Sequence, residues 1–328
     1  MRRKGQARKL VYICLILILV LVILFSGLQI LESTVFSKGQ AQGGQSTSKT
    51  IERDGMAYFP RQDITVMLLM GIDEFGPVKD SGSYNNTGEA DMVSLVIFDE
   101  THRKMDILYI NRDTMVEMPV LGLGGKPAGT AYRQLALSHT YGSGLQDSCE
   151  NTRKTVSDLF YGLPIHYYIA MNMDAIPLLN DAVGGVPVTV VDDFSQVNTD
   201  IPMGETVLKG KAALDFVQVR REVGDQDNIS RMERQKEYMK NFLTAFTEKT
   251  EESDLFVLET YEQVTDYIVT DLVASSMSNI WNKYSDYTLD DVVTLQGENV
   301  LNEGHYEFVL DEAALDQLIL QMFYAPKN

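Results

Sequence analysis

Cysteine is nearly absent from this chain of 328 residues, which contains only Cys14 and Cys149. Cys14 lies inside a long apolar run near the N-terminus, so Cys149 is alone in the remainder of the sequence. One cysteine cannot form an intramolecular disulfide. We therefore expect the fold to depend on its hydrophobic core rather than on covalent cross-links.

Positive charge is scarce after the first nine residues. The chain has 28 basic and 46 acidic residues, and five of the basic residues fall within positions 1–9. Residues 10–328 thus carry 23 basic and 46 acidic side chains, a net charge of −23. Because proteins bind nucleic acid by neutralising its phosphates with basic residues, we predict no nucleic-acid partner. An anionic substrate would need a local cluster of arginines.

Familiar catalytic motifs are also missing. Residues 122–127 contain glycines and Lys126 but lack the spacing of a phosphate-binding loop, and Ser143 is not in a Gly-x-Ser-x-Gly sequence. The four histidines are scattered without metal-ligand spacing, which is typical of packed or surface histidines. They are His102, His139, His166 and His305.

One apolar run follows the basic N-terminus. Residues 10–25 are continuously apolar, and the run extends to residue 31. At 1.5 Å per residue, this segment can span a bilayer core of about 30 Å. A cleaved signal peptide has a similar start, but no small-x-small site directly follows the run. We therefore favour a single-pass anchor over residues 10–31 in the cell membrane, with residues 1–9 cytoplasmic and the remainder extracellular.

The rest of the chain divides into a linker and one domain. Residues 32–62 include a stretch rich in Gly, Gln, Ser and Thr, which predicts a flexible linker. Residues 63–328 contain no internal repeat, and strand and helix patterns alternate along them. This alternation predicts an α/β fold, with a central mixed β-sheet in an α/β/α arrangement.

The predicted elements follow from apolar periodicity and turn residues. Predicted strands cover residues 64–72, 92–98, 105–110, 166–171, 186–191 and 306–310. Predicted helices cover residues 130–140, 152–160, 174–183, 211–221, 229–249, 272–283 and 312–322.

Acidic residues lie at the tips of the first two predicted strands. Asp73 follows the first strand and Asp91 precedes the second. The short link between the second and third strands implies an antiparallel hairpin, so Asp91 should lie near Arg112 and Asp113, which follow the third strand. If the first strand pairs in parallel with the third, all four side chains gather at one edge of the sheet, where α/β folds keep their sites.

These residues suit Mg²⁺ and phosphate. Mg²⁺ takes one or two carboxylates and fills its other positions with water and phosphate oxygens. A single aspartate at a strand end is more often a turn former, and Arg112 and Asp113 alone would be an ordinary salt bridge. The combination of a carboxylate pair with arginines favours phosphoryl transfer by positioning and charge neutralisation.

The helix predicted at 229–249 carries arginines on its apolar side. That side contains Tyr238, Phe242 and Phe246. One to two turns earlier it presents Arg231, Arg234 and Gln235. An unpaired buried cation costs several kcal/mol, so these guanidinium groups must meet anions. The alternatives are internal salt bridges or an anion site at the start of the helix, where free N–H groups favour negative charge.

At these residues the chain resembles the LytR-CpsA-Psr family of cell-wall glycopolymer transferases. No single matching segment is specific, but their order along the chain is. The matching segments are 71–73, 91–95, 110–114, 141–142, 167–172, 183–186, 208–214, 220 and 231–235.

The resemblance implies an extracellular transferase with Mg²⁺ as cofactor. It would move an anionic glycopolymer from a polyprenyl pyrophosphate carrier to peptidoglycan through a phosphodiester, with the lipid tail in an apolar pocket between sheet and helices. By position, Asp73 and Asp91 would hold the metal, and one of them or Asp113 would accept the proton of the attacking hydroxyl. The implied pyrophosphate ligands are Arg112, Arg220, Arg231, Arg234 and Gln235, with Arg234 either a ligand or a brace.

The chain departs from the family pattern at three positions. Glu89 and Gln218 replace arginines that family members commonly carry, and Asn228 replaces an aspartate but caps a helix equally well. The first two changes favour an alternative, a noncatalytic protein that binds polyprenyl phosphates. Retention of the other site residues favours turnover. A third alternative is a polyprenyl pyrophosphatase that uses water as acceptor.

Overall fold

The computed structural model describes residues 50–53, 55–220, 223–224, 228–302 and 304–326. The predicted cytoplasmic tail (1–9), the predicted anchor (10–31) and the linker as far as residue 49 lie outside these residues. Within the described part of the chain, none of the helices is both long enough and apolar enough to cross a bilayer.

Fifteen strands and seven α-helices are defined within these residues. The strands are β1 (Ile51–Arg53), β2 (Met56–Pro60), β3 (Ile64–Ile72), β4 (Ala90–Asp99), β5 (Lys104–Ile110), β6 (Met115–Leu121), β7 (Pro127–Gln134), β8 (Tyr167–Asn172), β9 (Val186–Val190), β10 (Gly204–Leu208), β11 (Ile268–Thr270), β12 (Thr288–Thr294), β13 (Gly297–Asn302), β14 (His305–Leu310) and β15 (Tyr324–Pro326). The helices are α1 (Gln146–Leu159), α2 (Ala175–Ala182), α3 (Lys211–Gln218), α4 (Asn228–Glu252), α5 (Phe256–Val264), α6 (Ala274–Tyr284) and α7 (Glu312–Phe323).

Six of these strands form the central sheet, in the order β11-β8-β3-β4-β5-β12. The pairs β3–β4 and β4–β5 are antiparallel, whereas β3–β8 and β5–β12 are parallel. The sheet is therefore mixed, as the sequence predicts. Strand β4 separates β3 from β5, so the expected direct pairing of the first and third predicted strands is wrong, although these two strands do run parallel.

Helices cover both faces of the sheet. Alternate residues of β3, such as Leu68 and Met70, pack on one side against Val156 and Phe160 near the end of α1. The intervening residue Leu69 faces the opposite side, where α4 and α6 lie. Since side chains alternate across a strand, the nearly continuous apolar sequence of β3 is explained by burial on both faces.

A smaller core forms beside the sheet, from the hairpin β9–β10 and helices α3 and α4. The apolar stripe on α4 packs here: the rings of Tyr238 and Phe242 lie 6.2 Å apart, and those of Phe242 and Phe246 lie 5.7 Å apart. Tertiary packing of this stripe, rather than helix propensity, stabilises the long helix. The same packing fixes the position of the arginines one to two turns earlier.

Two local predictions are wrong. The helix predicted at 130–140 is strand β7, followed by a short 3₁₀ helix at Leu135–Ser138. Pairing of β7 with β6 overrides the helix-like spacing of its apolar residues. The predicted linker contains β1 and β2, which join the C-terminal strand β15 in a three-stranded sheet ordered β1-β2-β15. Their distant partner β15 explains why the local composition does not reveal them.

Candidate active site

An acidic edge is built where β3 ends and β4 begins. Gly71 pairs with Met92 and Ile72 pairs with Ala90, which leaves Asp91 as the additional residue of a β-bulge. A backbone hydrogen bond of 2.9 Å from Asp73 N to Glu89 O continues this pairing. Bulges redirect side chains at the ends of strands. Here the bulge brings the segments that carry Asp73, Glu89 and Asp91 to one edge, as predicted for the two aspartates.

Arg112 enters this edge from the end of β5. Its guanidinium group forms ion pairs with both Asp91 and Glu89 and lies 3.6 Å from Asp113, measured from Nε to Oδ1. A turn holds the residue in place, because Asp113 N donates to Asn111 Oδ1 at 3.0 Å. The buried Nε of Arg112 has no hydrogen-bond acceptor among the described residues.

Arg231 of α4 binds the same carboxylate from the other side. Its Nη1 lies 3.1 Å from Asp91 Oδ2, so the two oxygens of Asp91 face two different arginines. Burial, together with the nearby charges of Arg112 and Arg220, lowers the pKa of Arg231 to about 10. Three guanidinium groups thus lie close together, and a polyanion would relieve their mutual repulsion.

Arg234 has a different environment. Its Nε donates to Phe216 O at 2.9 Å, its Nη1 pairs with Asp192 at 2.8 Å, and its Nη2 donates to Val219 O. It thereby satisfies backbone carbonyl groups at the C-terminal end of α3. Of the two alternatives open for the arginines of α4, internal pairing describes Arg234. The structure favours bracing over the predicted contact with pyrophosphate.

Gln235 and Arg220 complete the predicted set, and Gln218, one of the departures from the family pattern, lies at the same edge. The side-chain amide of Gln235 donates to Val217 O at 3.0 Å, and that of Gln218 lies 3.4 Å from Asp73 Oδ1. Arg220 is half-buried and near enough to Asp113 and Arg231 to influence the pKa of each. The predicted residues from β3, β4, β5 and α4 therefore converge, together with Arg220.

Asp113 is the most buried carboxylate at this edge, with 4% of its surface exposed. Burial raises its pKa, against the opposing effect of Arg112, Arg220 and Arg231. The side-chain amide of Gln134 donates to Asp113 Oδ1 at 3.0 Å and also to Tyr306 O at 2.7 Å. Sequence reasoning missed Gln134, because no local pattern reveals a contact with a residue 21 positions earlier.

The two predicted metal ligands suit a hard cation with few protein ligands. Asp73 is exposed, and the nearest polar side chain recorded for it is a neutral amide rather than a cation. The described residues contain no group of three or more His, Cys, Asp or Glu arranged for a metal. Both oxygens of Asp91 are paired with arginines, so Asp73 is the exposed carboxylate of the two. Mg²⁺, which commonly keeps several waters and binds substrate phosphates, fits such a small set of protein ligands. The site would not suit a metal that requires complete coordination by protein side chains.

An apolar pocket opens directly beside this edge. Its volume is about 190 Å³, and Asp91, Arg231 and Gln235 lie at its polar end. The remaining wall is apolar and includes Leu69, Met171, Leu179, Tyr238, Met239 and Phe242. A second cavity of about 290 Å³ shares several of these residues and continues between the sheet and α4–α6 towards Trp281. Charged and apolar regions are thus joined in one continuous cleft.

An α/β/α domain whose edge combines arginines and carboxylates beside an apolar pocket defines a class of protein suited to amphiphilic ligands. The chain belongs to the LytR_cpsA_psr family, whose model matches residues 29–323.

The individual relatives share low sequence identity with this chain. The chain is 26% identical over 263 residues to the polyisoprenyl-teichoic acid–peptidoglycan teichoic acid transferase TagU of Oceanobacillus iheyensis, covering 77% of this chain and 74% of the relative. Its fold resembles that of B. subtilis TagV, with a TM-score of 0.61 at 21% identity, covering 80% and 96% of the two chains. Protein gbs0355 from Streptococcus agalactiae gives a TM-score of 0.65 at 20% identity, covering 79% and 86%.

Proposed function

We propose that this protein is an Mg²⁺-dependent phosphotransferase that moves an anionic glycopolymer from a polyprenyl pyrophosphate carrier to peptidoglycan. The observation that carries the proposal is the apolar pocket whose polar end is formed by Asp91, Arg231 and Gln235. A polyprenyl pyrophosphate has the same division into an apolar chain and a charged head. The TagU relative, whose name contains polyisoprenyl-teichoic acid and peptidoglycan, supports the same substrate class.

The arginines suit the head group. Arg112 has a buried Nε without an acceptor among the described residues, and Arg231 lies among cations that lower its pKa. Phosphate oxygens would accept from these donors in the forked geometry that guanidinium groups favour. Arg220, half-buried nearby, adds a third cation. The site therefore gathers three guanidinium groups among the carboxylates Glu89, Asp91 and Asp113.

The carboxylates of the site would bind the metal ion and accept the proton of the attacking hydroxyl. Asp73 and Asp91 are the residues that would hold Mg²⁺, which when bound supplies positive charge to the pyrophosphate oxygens. Asp113 is the preferred proton acceptor, because burial raises its pKa towards the working range of a general base. As the peptidoglycan hydroxyl attacks phosphorus, its proton would pass to Asp113. The new phosphodiester bond forms while polyprenyl phosphate leaves.

The acidic surface is compatible with an anionic substrate delivered by the membrane. A carrier held by its lipid diffuses laterally and does not depend on long-range attraction to the protein. We propose that residues 10–31 anchor the chain and place this domain outside the cell, beside that carrier.

A noncatalytic polyprenyl-phosphate-binding protein is the second candidate. The observation that favours it is the ion pair between Glu89 and Arg112, which occupies a guanidinium group that a phosphate would otherwise use. In this alternative, the protein binds the carrier without turnover. The third alternative, a pyrophosphatase, has water as the acceptor at the same site.

One experiment separates the three. The full-length protein in detergent is incubated with Mg²⁺, a polyprenyl-pyrophosphate glycopolymer and peptidoglycan. Metal-dependent conjugation that is lost in Arg112→Ala supports the transferase. Tight binding of the lipid without any product supports the binding protein. Release of polyprenyl phosphate and glycopolymer phosphate without conjugate supports hydrolysis. Arg153→Ala is the matched control, because Arg153 also contacts two carboxylates, Glu150 and Asp271, outside the site.

A further inference from the structure

A cavity of about 790 Å³ lies between the first turns of α4 and the hairpin β13–β14. Met232 and Glu233 form its wall on the helix, and Glu298, Val300 and Val309 contribute to its wall on the hairpin. This wall is open to solvent, since Val300 is 42% exposed and Val309 is 49% exposed. A ligand can therefore reach it directly. We call this space the hairpin cavity.

Helix α4 separates the hairpin cavity from the apolar pocket. Arg231 lines the apolar pocket, whereas Glu233 lines the hairpin cavity. A helix with 3.6 residues per turn rotates by about 100° per residue, so Glu233 projects about 200° away from Arg231. The two spaces thus lie on different sides of the helix that carries Arg231, and two ligands can occupy them at the same time.

The hairpin cavity adjoins the proposed proton acceptor through two of its lining residues. Asn111 lines the cavity, and its side-chain oxygen accepts from Asp113 N at 3.0 Å. Phe308 also lines the cavity, and its backbone N–H donates to Asp113 O at 2.8 Å. A ligand in the cavity would therefore lie next to Asp113, without passing through the apolar pocket.

The charged residues that line the hairpin cavity are all acidic. They are Glu233, Glu298 and Asp311, and the described lining contains no lysine or arginine. Lys236, outside the lining, pairs with Glu233 at 2.6 Å, which leaves the lining negative. Like charges repel, so the anionic glycopolymer of the proposed donor is disfavoured in this cavity.

The direction of attack also assigns the two spaces to different substrates. In phosphoryl transfer, the attacking and leaving oxygens lie roughly in line on opposite sides of phosphorus. The leaving polyprenyl phosphate is assigned to the apolar pocket, so the acceptor hydroxyl must approach from the side away from that pocket. The hairpin cavity lies across α4 from it and adjoins Asp113.

The remaining lining suits a glycan strand. Asn111, Thr294 and Gln296 add neutral amide and hydroxyl groups, and Val300 and Val309 add apolar surface. A glycan presents hydroxyl groups along its edges and C–H groups on its ring faces. Its hydroxyl groups can also donate to the carboxylates of the lining.

We propose that the hairpin cavity is the acceptor subsite, which binds the glycan strand of peptidoglycan and directs one of its hydroxyl groups to Asp113. The assignment rests on the proposed function, which supplies such an acceptor.

The decisive variant is Val300→Trp in the full-length protein in detergent. The indole ring would fill part of the hairpin cavity, and a surface substitution of this kind normally changes stability little. The probes are a soluble, uncrosslinked glycan strand, measured without donor or Mg²⁺, and polyprenyl pyrophosphate. We expect at least a roughly tenfold weaker affinity for the strand and an unchanged affinity for the lipid.

Leu301→Trp is the matched control. Leu301 is the next residue of the same strand and is 64% exposed, but it does not line the cavity. Successive side chains of a strand point to opposite faces, so the added ring lies outside the hairpin cavity. This variant should bind both probes as the natural protein does.

Methyl NMR of the valine side chains of the natural protein gives an independent readout. The signals of Val300 and Val309 should shift when the glycan strand is added, whereas that of the exposed Val207 on β10 should not. Unchanged strand affinity in Val300→Trp together with unshifted signals would overturn the proposal. Signals that respond only to the lipid-free anionic polymer, or only to the isolated stem peptide, would overturn it as well.

Failure of the proposed function would look different. Both measurements of the strand are made without donor and metal. A natural protein that binds the strand in the hairpin cavity but neither binds the lipid nor forms conjugate would support the subsite and count against the proposed transferase.

Discussion

The side-chain amide of Gln134 donates to Oδ1 of Asp113 at 3.0 Å. Gln134 also donates to Tyr306 O, and Phe308 N donates to the backbone oxygen of Asp113 at 2.8 Å. Strand β14 thus bonds directly to the backbone of the proposed proton acceptor and is linked to its side chain through Gln134. The C-terminal region thus helps to position a site residue.

Gln134→Leu should move the acid limb of the pH–rate profile to higher pH. The amide hydrogen bond favours the ionised carboxylate, so its loss adds to the effect of burial and raises the pKa of Asp113 further. The base is then protonated at pH values where it is ionised in the natural protein. Transfer rates measured across pH test this, with Gln146→Leu as the exposed control. Superimposable profiles would exclude Asp113 as the base.

Arg112→Lys should reduce the transfer rate by roughly 10²- to 10³-fold. Lysine keeps the charge but cannot contact Asp91 and Glu89 together while pointing a third N–H at a phosphate. Single-turnover transfer with excess enzyme measures the loss. The control is Arg153→Lys, which alters another arginine that contacts two carboxylates. Equal rates in the two variants would mean that charge alone matters at position 112.

Replacing Arg234 with methionine should lower the stability of the fold, whereas replacing Arg231 with methionine should weaken binding of the donor. Arg234→Met removes the partner of Asp192 and of two carbonyl groups, and should lower the free energy of unfolding by about 3 to 5 kcal/mol. Arg231→Met leaves Asp91 paired with Arg112 and should chiefly weaken donor binding.

Denaturant unfolding and lipid-binding measurements on both variants distinguish these outcomes. A stable Arg234→Met protein that no longer binds the donor would make Arg234 a direct ligand, as the sequence first suggested.

Met239→Trp should obstruct the apolar cleft where its two cavities share a wall. Larger side chains in a packed space force their neighbours to move or exclude the ligand. We expect at least a roughly tenfold weaker affinity for a long-chain polyprenyl pyrophosphate, and a smaller effect with a short-chain analogue. Titration of both lipids provides the measurement. Met203→Trp, at a site 66% exposed, controls for the added indole ring.

Glu89→Gln should increase affinity for the donor. The substitution removes a negative charge that pairs with Arg112 and repels the pyrophosphate. Because Glu89 is partly exposed, we expect only about a two- to fivefold gain. Equilibrium binding at low and high salt tests the electrostatic cause, since the gain should shrink as salt increases. A loss of affinity would show that Glu89 is itself a ligand of the metal or substrate.

Much of the site was predictable because its residues lie at strand ends. The sequence places Asp73, Asp91 and Arg112 beside turns that follow or precede strongly apolar strands, and hairpin geometry brings two of them together. The order of the strands in the sheet was harder to predict from the sequence. Antiparallel β4 lies between β3 and β5, and only long-range pairing determines this.

Other features depend on contacts far apart in sequence. Residues 130–140 have helix-like spacing, but pairing with β6 makes residues 130–134 part of strand β7. The role of Arg234 follows from the position of the last turn of α3, whose carbonyl groups it contacts. No pattern in the local sequence reveals this contact.

The sheet ordered β1-β2-β15 joins the first described strands to the last. Ribosomal synthesis is directional, so β2 emerges long before the strand Tyr324–Pro326 that pairs with it. Until then β2 presents an unpaired edge, which is a template for wrong partners. A nascent chain that stalls before β15 therefore lacks the closing strand, and cellular quality control can recognise it by that open edge.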